Sequence, residues 1–479
     1  MLVEERQRQR AEGQLPHPRR LFSLLYRAFF VWNLGTCYWL MLTAFQVESL
    51  GEAVEAFVAG LLAVGLNPIL MSVPWLLYAT LRRRLSRPLA LVGWGVGWLA
   101  FEQLHLNWDL TWSWLNLAHG FTMYPSYLQY LEFTGTGGTA LHVLGANALL
   151  FELACRLREG RPLGRWPAVL GGWVLLPWLL YPLLTWSGRS VYQPVDHVQV
   201  RIVQPNVDPY VKFDSNAEDE QLRLMLRLAD QPAAAGLDLV LLPETALPDG
   251  IWHENLRYDP QMVPFIELSY RRRLSVLLGL VYRRRIEPGR PVPPHARSMA
   301  PDGSGPFYES FNAAVIAGDT IVSKKGKLVP FVERAPFLKQ LRFFNRWQID
   351  LGGDFGSFGL PDTLVTLPTR TGAELSPVIC YESPFGDWVR TLVGRGGQLV
   401  CILTNDGWFG NSSGHRQHAY LASLRAIETR RAVARCANTG MSLTTDNRGF
   451  IQQTLGWWRQ GVIDAKLPLY VEPTFYMRY

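Results

Sequence analysis

Three residues, far apart in the chain, have the types needed for acyl transfer through a sulfur nucleophile. Cys380 closes the apolar run "LSPVIC", Glu244 closes "LDLVLLPE", and Lys325 stands in the tight turn "SKKGK". A cysteine at neutral pH needs a base or a depressed pKa before it attacks. Glu244 could take that proton and return it later. Lys325 could meet the negative charge that develops on an attacked carbonyl. No metal or other cofactor is required by such a set.

Each residue also has a plainer reading. Free cysteine is among the most buried residue types, so Cys380 could be sheet core. Glu244 could cap a helix beginning at "TALP", and Lys325 could lie exposed in a hairpin. Composition narrows the field. Only six of the 47 basic residues are lysines (Lys212, Lys324, Lys325, Lys327, Lys339, Lys466), and three of those fall within four positions. The five cysteines include no CxxC pair, which argues against zinc and against a disulfide framework. There is no Walker sequence, no GxGxxG and no HExxH. The arginines cluster at the ends of apolar segments rather than on one basic face, so nucleic acid is not an expected partner.

The elements that must position these residues change character along the chain. Eighteen tryptophans and 48% hydrophobic residues point to contact with a bilayer. Apolar stretches run at approximately 21–46, 54–80, 88–106, 137–155 and 166–187, each near the roughly 20 residues that cross a hydrocarbon core. Arg19 and Arg20, "LRRRLSR" (81–87) and "RLREGRPLGR" (156–165) carry the basic charge, with no lysine or arginine between Arg87 and Arg156. The positive-inside rule predicts these segments in the cytoplasm and, after five spans, everything beyond about residue 190 outside. Residues 1–20 then form a cytoplasmic amino-terminal segment and 21–190 a transmembrane domain. Its Trp- and Tyr-rich segment 107–136 suits the membrane interface. Polar groups at depth (Arg27, Asn33, Glu102, His105, His142, Asn147) are candidates for function, with interhelical hydrogen bonds inside a bundle the milder reading.

From residue 198 to 466 the texture is soluble α/β. Short apolar runs such as "VQVRIVQ", "LSVLLGLVY", "NAAVIAG" and "QLVCILTND" read as strands covered on both faces. The spacing predicts one long helix over 415–437. Residues 467–479 form a carboxy-terminal tail. Strand ends of α/β layers open onto ligand crevices, which is where Glu244 and Cys380 fall.

At these residues the chain resembles the nitrilase superfamily and, within it, the membrane-embedded apolipoprotein N-acyltransferase family. The matching words are "VQPNVDPYVKF" (203–213), "LPETALP" (242–248), "KKGKLVPFVERAPF" (324–337), "ICYESPFGDWV" (379–389), "TNDGWFG" (404–410) and "RAIETRRAVARCANTG" (425–440). "NPILMSVPWLLYA" (67–79) and "WSWLNLAHG" (112–120) match in the membrane half.

The resemblance implies an α-helical transmembrane bundle followed by an α/β nitrilase-like αββα sandwich. Carried over position by position, it makes Glu244 the general base, Lys325 the oxyanion stabiliser and Cys380 the nucleophile. Glu333 and Glu382 match supporting acids, with Tyr381 and Trp408 lining the acyl-enzyme pocket beside Glu382. Phe213 matches an aromatic that meets lipid, and the aromatic-rich stretch 332–360 looks like an arm that grips acyl chains. The implied activity moves a fatty acyl chain from a phospholipid to the α-amino group of the S-diacylglyceryl N-terminal cysteine of apolipoproteins, through a thioester. The implied place is the inner membrane, multi-pass, with the catalytic domain periplasmic. A membrane-tethered amidase hydrolysing a small amide is the alternative. Against the family's usual plan, two helices before the first stretch and one after the catalytic domain are expected to be missing.

Overall fold

The computed structural model describes residues 3–5, 7, 19–43, 50–209, 218–233, 236–300, 302, 304–336 and 358–479. It separates into two compact units, Met1–Trp186 and Ser187–Tyr479.

The first unit is helical. Its main helices are α1 (Arg19–Cys37), α2 (Leu50–Met71), α3 (Val73–Leu81), α4 (Arg87–His105), α5 (Leu131–Arg158) and α6 (Trp166–Val191). Helices thus stand at all five apolar stretches. Among the described residues, three segments are long and apolar enough to cross a membrane: Ala53–Leu81, Leu131–Arg158 and Trp166–Trp186. α1 and α4 are helical but less apolar, because each carries arginine and polar residues along its 19 positions. Several polar groups pair between helices as expected, but Asn147 is exposed and donates to Val143 O of its own helix at 2.8 Å. Asn67 Nδ2 donates to Asn33 Oδ1 at 2.8 Å, and His105 Nε2 meets Asn67 Oδ1 at 2.9 Å. Glu102 accepts from Trp98 Nε1 at 3.1 Å and from the Leu117 N–H at 3.0 Å, which ties the segment after α4 back onto it. Such bonds hold helices together where no water competes.

The second unit is built on two sheets. The first contains β1 (Asp196–Gln204), β2 (Leu239–Leu241), β3 (Leu247–Trp252), β4 (Ser275–Arg285), β5 (Arg297–Ser298), β6 (Phe307–Ile316), β7 (Val322–Lys324) and β14 (Gly461–Leu469). Its order is β14-β1-β2-β4-β6-β5, with β3 on β4 and β7 on β6. The second sheet contains β8 (Leu367–Pro368), β9 (Glu374–Ile379), β10 (Leu399–Thr404), β11 (Val433–Ala437), β12 (Ser442–Thr445) and β13 (Ile451–Leu455), in the order β13-β12-β11-β10-β9-β8. The centre of each sheet is parallel: β1, β2 and β4 in one, β9, β10 and β11 in the other.

Alternation along these strands explains the layering. Val200, Ile202, Leu241 and Leu277 pack with Ile379, Cys401, Leu403 and Cys436 in the core between the sheets. Their neighbours Val203, Val240, Val276 and Leu278 point the other way, onto Met225 and Leu228 of α7 (Glu218–Ala229) and Phe265 and Leu268 of α8 (Val263–Arg272). Val378, Val400 and Ile402 likewise meet Val389 and Leu392 of α9 (Gly386–Val393) and Ala419, Ala422 and Ala426 of α10 (Ser413–Thr429). β2, β10 and the run Val276–Val281 of β4 are apolar on both faces, whereas β1 and β11 bury Arg201 and Arg435, and the unit is an αββα sandwich.

One expected element is split. The helix anticipated over 415–437 ends at Thr429, where Arg430 takes the left-handed conformation at φ +50°. Val433–Ala437 then forms β11 beside β10. Sequence periodicity across "RRAVARCA" suits either state, and pairing with β10 decides it.

Candidate active site

The chain is forced into an uncommon backbone conformation at Cys380. β9 ends at Ile379, and Cys380 opens the one-turn helix Cys380–Glu382 with φ +47°. A non-glycine residue there carries strain of order 1–3 kcal/mol, and the turn lifts the residue out of the strand. Unlike the other four cysteines, all buried, Cys380 is only partly covered. Cys401 and Cys436 belong to the core between the sheets, whereas Cys380 packs against its edge and is only partly buried.

Glu244 stands three residues beyond β2 and just before Thr245, another non-glycine at positive φ (+44°). Strand β3 follows, so no helix begins at "TALP". The loop leans closely on β4: a Cβ at Gly279 would lie 2.7 Å from Glu244 Cα, and the Gly279 N–H donates to Pro243 O at 3.2 Å. Only glycine leaves that space.

Lys325 continues from β7, its N–H donating to Asn312 O at 2.8 Å. Its side chain is 1% exposed, so the exposed-hairpin reading fails. The ammonium donates to Glu244 Oε1 at 2.9 Å and to Glu333 Oε1 at 2.8 Å. The Asn312 side-chain amide, on β6, donates to the same two oxygens at 2.7 and 2.9 Å. Glu244 Oε2 accepts from the Asn405 N–H at 3.1 Å, and Glu333 Oε2 from the Val329 N–H at 2.8 Å.

The charges act on one another strongly at this depth. Burial alone would lower the Lys325 pKa, but Glu244, Glu333 and Cys380 outweigh it and hold the ammonium well above its ordinary range. Burial, and then the Glu244 charge, push the Cys380 thiol up, with Lys325 opposing. Both effects disfavour the thiolate, so a carboxylate able to take the thiol proton matters at this position.

Glu382 ties two segments together. One carboxylate oxygen accepts from the Gly326 N–H at 2.6 Å, in the lysine turn, and the other from the Ile379 N–H at 2.7 Å, at the end of β9. Burial lifts this carboxyl to about 7 against those backbone donors.

Among the other anticipated residues, Tyr381 is buried with its ring edge-on to Phe385, 5.2 Å between centroids. Trp408 is half-buried in the turn Gly407–Phe409, three residues past Asn405. Phe213 lies outside the described residues, as do Phe337, Phe343, Phe344, Trp347 and Phe355 of the anticipated arm. Phe358, the one arm aromatic that is described, is packed against Val281 and Leu328 rather than presented to lipid. Asn312 escaped the sequence reading, where "FNAAVI" registered only as a strand. A single amide within an apolar run was the available signal.

Comparison with known proteins bears on both units. Residues 199–472 match the carbon-nitrogen hydrolase family, and residues 10–149 match the apolipoprotein N-acyltransferase N-terminal domain. The apolipoprotein N-acyltransferase of Chlorobaculum tepidum is 30% identical over 429 residues, covering 88% of this chain and 79% of that protein. That of Geobacter metallireducens is 27% identical over 472 residues, covering 96% and 84%. Among solved structures, an amidase from Nesterenkonia sp. aligns with 60% of this chain and 95% of its own at 17% identity and a TM-score of 0.37.

Proposed function

The chain belongs to the apolipoprotein N-acyltransferase family, and we propose that it moves a fatty acyl chain from a membrane phospholipid to the α-amino group of an S-diacylglyceryl N-terminal cysteine. Glu244, Lys325 and Cys380 are the reacting groups in this reading. The observation that carries it is the buried Lys325 ammonium 2.9 Å from Glu244 and 2.8 Å from Glu333, with Cys380 held at positive φ where β9 ends.

Acylation begins when Glu244 takes the Cys380 proton as sulfur attacks the ester carbonyl of the donor lipid. Lys325 stabilises the oxyanion through its compact ammonium. The carbon–oxygen bond to glycerol breaks, Glu244 protonates the leaving oxygen, and a thioester remains on Cys380 while lysophospholipid departs. In the second half the acceptor amine attacks the thioester, Glu244 takes an amine proton, and carbon–sulfur cleavage returns that proton to sulfur. The basic segments 81–87 and 156–165 support a multi-pass protein of the inner membrane with this site on the periplasmic side.

The test is mass spectrometry of Cys380 after incubation with phospholipid alone. An acyl adduct on wild type, absent from Cys380→Ala and Glu244→Gln, is the expected result. A diacylglyceryl-cysteinyl peptide should then discharge the adduct as an amide. Discharge to free fatty acid by water at an equal rate without peptide would contradict the transfer reading and leave a hydrolase.

A further inference from the structure

Beneath the nucleophile lies a closed ring of hydrogen bonds that the reaction as described does not use. Asp406, wholly buried after β10, accepts from Thr404 Oγ1 at 2.9 Å through Oδ1 and from Arg435 Nη2 at 2.7 Å through Oδ2. His418 of α10, 1% exposed, meets the same Oδ1 with Nδ1 at 2.9 Å. Its Nε2 faces the Cys380 carbonyl at 3.1 Å and Ser383 Oγ at 2.9 Å. Ser383 Oγ donates to the same carbonyl at 2.9 Å. Thr404 donates to the same carboxylate oxygen that His418 meets, and its hydroxyl opposes the upward push of burial on the Cys380 thiol. From Asp406 one arm reaches the carbonyl of Cys380 through His418, and the other ends on Thr404.

The space is cut to admit Asp406. A Cβ at Gly440 would lie 2.4 Å from its Oδ2. Arg435 Nη2 also approaches His418 Nδ1 at 3.2 Å. The Cys380 carbonyl can only accept, so in any hydrogen bond between the two Nε2 is the donor.

We propose that Asp406 and His418 are positioning residues for the acyl transfer: anchored by Arg435, they hold Cys380 by its carbonyl and so fix the direction of Sγ. Satisfied burial of polar groups alone would ask only that each atom find some partner. Here the carbonyl of one strained residue is gripped through His418 from a wholly buried carboxylate. The role rests on Cys380 being the nucleophile. A displacement of about 1 Å at a reacting atom costs on the order of 100-fold in rate.

Two substitutions of the full-length protein separate positioning from simple stability. In His418→Gln the amide nitrogen can take the place of Nε2 and still donate to the Cys380 carbonyl. In His418→Asn the shorter amide reaches Asp406 but not the carbonyl. The rate of thioester formation from phospholipid, the KM for that donor and the unfolding temperature are measured for each. The expected result is a loss of about 100-fold in acylation rate for His418→Asn, with KM unchanged, and no more than about 10-fold for His418→Gln at the same unfolding temperature. Equal rates in the two variants, or a loss confined to KM, would overturn the role. Should His418→Asn fail to fold, Thr404→Val tests the other arm, with a loss of about 10-fold expected and an unchanged rate overturning the proposal. A wild-type protein that forms no thioester would remove the catalytic reading and this role with it. A wild-type thioester with indifferent variants removes only this role.

Discussion

Lys324 and Lys325 are adjacent in sequence and opposite in circumstance. Lys324 meets the exposed Asp362 at 3.1 Å and lies over the Phe311 ring, 4.2 Å from its centroid. Lys325 alone reaches the buried carboxylates. Removing it would leave Glu244 and Glu333 buried without a countercharge, a change that typically costs 3–5 kcal/mol. Lys325→Ala should therefore lose both acyl-enzyme formation and a large part of the unfolding free energy, while Lys324→Ala should change stability by less than about 1 kcal/mol and retain activity. Lys325→Arg keeps the charge but brings a planar fork into a space shaped for three diverging donors. It should unfold less readily than Lys325→Ala in a thermal melt yet form no thioester. Comparable acylation by Lys325→Arg and wild type would count against the oxyanion role. Of these residues, Glu244, Lys325 and Cys380 could be singled out in the sequence, by their reactive types and by the family words around them. Asn312, Asp406 and His418 could not. Their roles depend on contacts between strands and helices far apart in the chain, such as the 68 positions separating Asn312 from Glu244, which no local pattern encodes.

At the scale of elements, catalytic geometry depends on how closely β4 supports the loop after β2. Gly279→Ala would place a methyl 2.6 Å from Thr245 N and 2.7 Å from Glu244 Cα, and the backbone on that side cannot rotate away as a side chain can. The loop should shift as a body, carrying the base with it. We expect a fall in acylation rate of on the order of 100-fold, with the KM for phospholipid nearly unchanged. Steady-state kinetics on the purified variant would show this, and a change only in KM would contradict it. The strands themselves were readable as apolar runs. The division of 415–437 into α10 and β11 was not, since Val433, Cys436 and the flanking alanines satisfy a helical face and a two-sided strand equally well. The left-handed turn at Arg430, together with β10 waiting beside it, resolves that ambiguity.

At the scale of the whole molecule, the charge pattern makes a prediction about sidedness. Single cysteines at Arg84 and at Ala300, on a background lacking the five natural cysteines, should react differently with an impermeant maleimide in cells whose outer membrane has been opened. The Ala300→Cys site should label and the Arg84→Cys site should label only after lysis. Labelling of Arg84→Cys in intact inner membrane would reverse the orientation. The membrane half was legible as helical and apolar, but not how its polar residues pair: Asn33, Asn67 and His105 form a chain across three helices. The buried cluster around Lys325 has a last consequence. Two acidic side chains face one ammonium there, an excess of acidic over basic groups around the site. Such a pocket attracts a protonated amine and repels a fatty carboxylate. Free fatty acid should consequently be a poor inhibitor, and a lipidated peptide whose amino group has been acetylated should lose the electrostatic part of its affinity as well as its reactivity.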